Sequence, residues 1–142
     1  MVKRVTPPEA STLLGEGWVY LDVRSIPEFD DGHPPGAANV PLLHFQGGRM
    51  VPNPDFGAVI AANFPKETKI VVGCKAGGRS LRAAQVLAAE GFTQVVDQRA
   101  GWDAARDPFG QVIEPGWSRA GLPVEDGQPT GRAWEDMKRK GA

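Results

Sequence analysis

Apolar residues fall into short β-branched runs separated by stretches with three- and four-residue spacing. The strongest run is Ile70-Val71-Val72, of the kind expected for a strand buried on both faces. After it, Leu81, Ala84, Leu87 and Ala88 recur at helical spacing until Gly91 stops the pattern. From the start of the chain, Lys3-Arg4-Val5 predicts a short strand. Thr6-Pro7-Pro8-Glu9 then reads as a capping box with proline at the first helical position, opening a helix to Leu14 that Gly15 and Gly17 end. Trp18-Val19-Tyr20-Leu21 is the second strand and ends at Asp22-Val23-Arg24. Ser25-Ile26-Pro27-Glu28 repeats the capping pattern and opens a one-turn helix closed by Gly32. Past the rigid turn His33-Pro34-Pro35-Gly36, Ala38-Asn39-Val40 forms a third strand halted by Pro41.

Residues 42–52 are expected to run over the surface as an ordered excursion, and Asn53-Pro54 to start a helix reaching Asn63. The Ile70–Val72 strand, a helix from Arg79 to Glu90 and a fifth strand from Thr93 to Val96 complete the pattern. Strands alternating with helices imply parallel pairing, because parallel neighbours need long crossovers. The expected class is α/β, a five-stranded parallel sheet flanked by helices on both faces. The glycine- and proline-rich stretch from Ala100 to Gly127 is expected to pack irregularly over the sheet edge. Trp134–Lys140 places acids before bases, which suits a short terminal helix. One domain over residues 1–126 with a C-terminal tail at 127–142 is the simplest division, since 142 residues support a single core.

Sixteen basic against 17 acidic residues leave a net charge of -1, so no overall field attracts nucleic acid or an anionic membrane. No apolar run approaches the roughly 20 residues that span a bilayer. Val5-Thr6-Pro7-Pro8-Glu9 stands where a leader would need its apolar stretch, so the expected location is cytoplasmic. His33 and His44 have no ligand spacing with cysteine or carboxylates, and neither metal nor other cofactor is expected. The one cysteine, Cys74, excludes an intrachain disulfide and a Cys-x-x-Cys pair. Any sulfurated form of it must be resolved by an outside molecule.

Cys74 opens the loop Cys74-Lys75-Ala76-Gly77-Gly78-Arg79-Ser80 between the central strand and its helix, at the sheet edge where α/β folds place ligands. Gly77 and Gly78 allow successive N–H groups to turn inward as a nest, and the helix start adds positive potential. With Lys75 and Arg79 nearby, this setting favours a thiolate over the buried, inert thiol that a lone cysteine often is. Arg79 opposes the helix dipole and so needs another benefit, either holding an anion or holding the loop through Asp22. Lys75 reads equally as a lure for anions or as a solvated side chain. Asp22 ends a strand on the same edge, where it caps loop N–H groups or pairs with Arg79 or Arg24. Arg24 joins that ionic network or lies on the surface. His33 reads as a structural hydrogen bonder, because an ionised thiolate needs no base. Trp102 reads as a wall of the site or as core. His44 and Phe45 are candidates for the pocket edge.

Leu21-Asp22-Val23-Arg24, Glu28-Phe29, Gly32-His33-Pro34-Pro35-Gly36-Ala37, Asn39-Val40-Pro41 and the Cys74–Ser80 loop together resemble a single-domain rhodanese, over most of Thr6 to Glu125. The resemblance implies the same five-stranded parallel fold. It also implies a sulfurtransferase in which Cys74 takes the outer sulfur of thiosulfate or a similar anionic donor and passes it, as a persulfide, to a thiol or cyanide. The sequence departs from the family pattern after the fifth strand, where Ala100-Gly101-Trp102 leads into an extended 106–116 stretch expected to reach the pocket rim. Two related readings are a non-catalytic rhodanese-like module that binds a protein, and a carrier that hands sulfur to a relay partner. Phosphatases and arsenate reductases resemble Cys followed by five residues and Arg, whereas here four residues separate Cys74 from Arg79.

Overall fold

The computed structural model describes residues 2–141. In chain order the elements are β1 (Lys3–Val5), α1 (Pro7–Gly15), β2 (Val19–Asp22), α2 (Ile26–Asp31), β3 (Ala38–Asn39), β4 (Leu43–Gln46) and β5 (Arg49–Pro52). They continue with α3 (Phe56–Asn63), β6 (Lys69–Gly73), α4 (Gly78–Ala89), β7 (Gln94–Gln98), β8 (Ala104–Arg106), β9 (Val112–Pro115), a 3-10 turn (Trp117–Arg119) and α5 (Trp134–Gly141).

The main sheet has the order β1-β7-β6-β2-β3, with every pair parallel. β6 is its middle strand, which is why Ile70-Val71-Val72 is apolar at successive positions. Strand alternation splits that run. Ile70 and Val72 face a cluster with Val59 and Ile60 of α3 and with Ala83, Ala84 and Leu87 of α4. Val71 faces a second cluster with Ala10 of α1, Phe29 of α2, Tyr20 and Trp117. The helices therefore cover both faces, as the pattern of the sequence predicts.

Both capping boxes form. Glu9 N donates to Thr6 Oγ1 at 3.2 Å while Thr6 N donates to Glu9 Oε1 at 2.8 Å, and Ser25 N donates to Glu28 Oε1 at 3.1 Å. Two regions are more regular than the sequence pattern suggests. The 42–52 excursion is an antiparallel hairpin in which Gln46 opposes Arg49. Its two-residue turn, Gly47-Gly48, has φ of 59° and 77°, the double positive geometry that matches strand twist. The stretch expected to be irregular contains a second hairpin, β8–β9. There the N–H groups of Phe109 and Gln111 both donate to Asp107 Oδ1 at 2.9 Å, making a local turn from a side chain.

The terminal helix is present as α5, and it docks on α3. Trp134 and Met137 join the first core cluster, and Asn63 Nδ2 donates to the Met137 carbonyl at 3.0 Å. The segment before it is fastened too. His33 and Glu125 exchange backbone hydrogen bonds at 2.8 and 2.9 Å. Among the described residues no helix is long and apolar enough to cross a membrane.

Because Trp134 is 3% exposed, Trp134→Ala is expected to cost about 3–5 kcal/mol in denaturant unfolding. A cost below about 1 kcal/mol, the scale of ordinary surface substitutions, would show α5 to be peripheral.

Candidate active site

β6 delivers Cys74 to the carboxyl edge of the sheet, and α4 begins at Gly78. The Cys74 side chain is 2% exposed, with Sγ accepting a hydrogen bond from Gly77 N at 3.1 Å and lying 3.4 Å from Ser80 Oγ. Gly77 has a φ of 98°, and a Cβ there would strike the Arg99 carbonyl. Gly101, at φ 66°, would strike the Lys75 carbonyl in the same way. The loop and the segment after β7 thus meet backbone to backbone. Trp102 N donates to the Cys74 carbonyl at 2.7 Å and Asp103 N to the Lys75 carbonyl at 3.0 Å. Gln98 shapes the bracing segment. Its Oε1 accepts from Ala100 N and Gly101 N at 2.8 and 2.9 Å, and its Nε2 donates to the Gly101 carbonyl at 2.8 Å.

The charged residues around the loop are committed to partners. Asp22 and Arg24 are both buried, and Arg24 Nη2 donates to Asp22 Oδ2 at 2.8 Å. The Arg24 guanidinium also lies 5.0 Å above the Trp102 ring. Arg79 pairs with Glu28 rather than with Asp22, through two bonds of 2.7 and 2.9 Å. Burial works to raise the Glu28 carboxyl, but Arg79 and the Ser25 donors outweigh it and hold the group down at about 2. Lys75, Ala76 and Gly78 are exposed, whereas Gly77 and Ser80 are buried. Lys75 shares a cleft of about 180 Å³ with Arg24, Glu28, Asp31 and Trp102.

His33 is buried, stacked on Phe29 at 3.7 Å, with its ring nitrogens 2.7 Å from the Phe29 carbonyl and 2.9 Å from Glu125 Oε1. It is a structural residue away from the loop. His44 packs edge-on against Trp134, and with the exposed Phe45 it lines a cleft beside Ile26, Pro27 and Gln46. Glu28 and Gln98 are the participants that sequence reading passed over. Glu28 was legible as the third residue of a capping box and as part of the Glu28-Phe29 motif, not as the partner of Arg79, and its Oε1 serves both that box and Arg79. Among the described residues no cluster of three or more histidine, cysteine or acidic side chains could hold a metal ion.

The rhodanese-like domain family matches residues 6–107. The chain belongs to this family. Thiosulfate sulfurtransferase 16, chloroplastic, of Arabidopsis thaliana is 39% identical over 116 residues, covering 82% of this chain and 87% of that protein. Senescence-associated protein DIN1 of Raphanus sativus is 38% identical over 117 residues, and there the match spans 57% of the relative's length. Among solved structures, Rv0390 from M. tuberculosis superposes with a TM-score of 0.74 at 26% identity, covering 89% of this chain and 98% of that one. In this rhodanese-like domain, β9, the 3-10 turn and α5 lie beyond the matched span. The β8–β9 hairpin does reach the loop, since Ala105, Arg106, Ile113 and Glu114 line a cleft of about 410 Å³ with Ala76.

A carboxyl held low in the folded state adds stability that is present above its unfolded value and lost as pH falls through the folded one. The stability gap between the native protein and Glu28→Gln is therefore expected to hold steady above 4.5 and to shrink as pH falls toward about 2. Urea unfolding at several pH values measures it. A gap that does not change with pH would refute the pairing.

Proposed function

We propose that the chain is a sulfurtransferase that moves a sulfane sulfur from thiosulfate, or a similar anionic donor, to a thiol or cyanide through a persulfide on Cys74. The observation that carries this reading is the Gly77 N–H donating to Sγ at 3.1 Å inside a closed loop. Names of relatives such as the Arabidopsis sulfurtransferase support it at the level of the family.

In the first step the Cys74 thiolate attacks the outer sulfur of thiosulfate. The new Sγ–S bond forms as the S–S bond of the donor breaks, and sulfite leaves with the electron pair. The Gly77 N–H and the positive end of α4 face the anionic sulfur, with the further N–H groups of Lys75, Ala76, Gly78, Arg79 and Ser80 as donors for the outer atom. In the second step cyanide or a thiolate bonds to that outer sulfur, and the electron pair of the broken Sγ–S bond returns to Cys74 as thiolate. Lys75 serves at the mouth of the cleft as the exposed cation that draws in an anionic donor. Arg79, held by Glu28, adds fixed positive charge and anchors the loop to α2. Asp22 and Arg24 support the floor of the cleft without taking part in bond making.

Incubation with thiosulfate followed by intact mass measurement is expected to add one sulfur atom to the native chain and release one sulfite. Cys74→Ala is expected to add none while keeping its unfolding midpoint, because glycine geometry and helix packing hold the loop. An unmodified native chain, or a sulfurated Cys74→Ala chain, would end the proposal.

A further inference from the structure

Between the β4–β5 hairpin, α3 and the start of α4 lies another cleft, of about 490 Å³, which the transfer steps leave unused. That volume is in the range of small-ligand pockets. Leu42, Leu43 and Phe56 supply an apolar wall, with Leu43 opposite Pro52 in the hairpin. Across from them, Arg79, Arg82 and Val86 line the cleft from one face of α4, since residues three and four apart on a helix are neighbours. Gly78 is the lining residue at the catalytic loop, directly after Gly77, whose N–H donates to Cys74 Sγ. From Gly78 to Val86 the helix rises about 12 Å. Arg79 is already paired with Glu28. Arg82 is exposed and has no ion pair among the described residues. Glu90 stands against Gly57, one turn beyond Val86, so it does not neutralise the loop end of the cleft. No lining residue is shared with the cleft that holds Lys75.

We propose that this cleft is the acceptor site and that it selects a small thiol acid with an apolar body, an inference that rests on the persulfide reading of Cys74. The order of the lining sets the order of the groups on the ligand. Its sulfur lies at the loop by Gly78, its carboxylate meets Arg82, and its hydrocarbon lies beyond, on Val86, Phe56 and Leu43. In the step itself the acceptor thiolate, its proton already lost to solvent, bonds to the outer sulfur of the Cys74 persulfide. The Sγ–S bond breaks, its electron pair returns to Cys74 as thiolate, and the acceptor leaves as an organic persulfide. A thiol without a carboxylate gives up the contact with Arg82. A thiol acid without hydrocarbon leaves the apolar wall in water. The cleft therefore sorts acceptors by two independent features, charge beside the sulfur and apolar length beyond it.

The probes are N-acetylcysteine, N-hexanoylcysteine and the carboxamide of each, offered to the sulfurated chain and compared at equal thiolate concentration. N-hexanoylcysteine is expected to take sulfur about tenfold faster than N-acetylcysteine, the effect of burying roughly two methylenes. It is expected to react about fivefold faster than its own carboxamide, the effect of one exposed ion pair. In Arg82→Gln the acid and its carboxamide are expected to react at one rate, and in Leu43→Gln the two acyl lengths are. N-hexanoylalanine, which has no thiol, is expected to shift the amide NMR resonances of Gly78, Arg82 and Val86 in the unsulfurated chain, so that binding is read without transfer. Equal rates for the four thiols, preferences that survive these substitutions, or resonance shifts confined to other parts of the chain would overturn the proposal. A chain that takes no sulfur from thiosulfate would instead end the reading of Cys74, and the resonance shifts would still decide whether the cleft holds an apolar carboxylate.

Discussion

Two backbone hydrogen bonds, from Trp102 N to the Cys74 carbonyl and from Asp103 N to the Lys75 carbonyl, hold the shape of the loop that carries Cys74. They let the chain after β7 lie directly on the chain after β6, and that approach leaves no room for a Cβ at Gly77 or Gly101. Once the carbonyls are turned outward to these donors, the N–H of Gly77 is free to point at sulfur. Gln98 completes the brace by satisfying the N–H groups of Ala100 and Gly101 with one buried amide. The loop is thus held mostly by backbone, which makes its geometry insensitive to the identity of its exposed side chains.

Charge near the thiol is arranged by the same economy. Arg4, Arg24 and Arg79 each face a carboxylate, Asp97, Asp22 and Glu28 respectively. Buried or half-buried ion pairs add little net stability, because desolvation opposes their attraction. Their effect here is positional. Arg24–Asp22 supports Trp102 and the cleft floor, Arg79–Glu28 ties the loop to α2, and Arg4–Asp97 ties β1 to the Gly77 carbonyl. Lys75 is left exposed at the mouth.

Much of the frame was legible in the chain. The β-branched run of β6, the capping boxes at Thr6 and Ser25 and the glycines that end α1 and α2 act within a few residues of themselves, and such local preferences survive into the fold. The two hairpins were less legible because their strands are short and largely exposed, without the apolar alternation that marks a half-buried strand. Gly47-Gly48 was a turn signal, yet nothing local showed that the flanking residues would pair. α5 looked like a tail because its polar residues outnumber its apolar ones, while Trp134 and Met137 alone carry it into the core.

At the site, the order of residues by itself determined the strand that ends at Cys74, the glycine loop and the helix that follows, because each depends on contacts between near neighbours in the chain. Tertiary structure decided which acid each arginine meets. Glu28 lies 51 residues from Arg79, and Asp97 lies 93 from Arg4. A guanidinium can satisfy its charge with any carboxylate in reach, and only the packed sheet, which brings distant strand ends to one edge, determines which carboxylate that is.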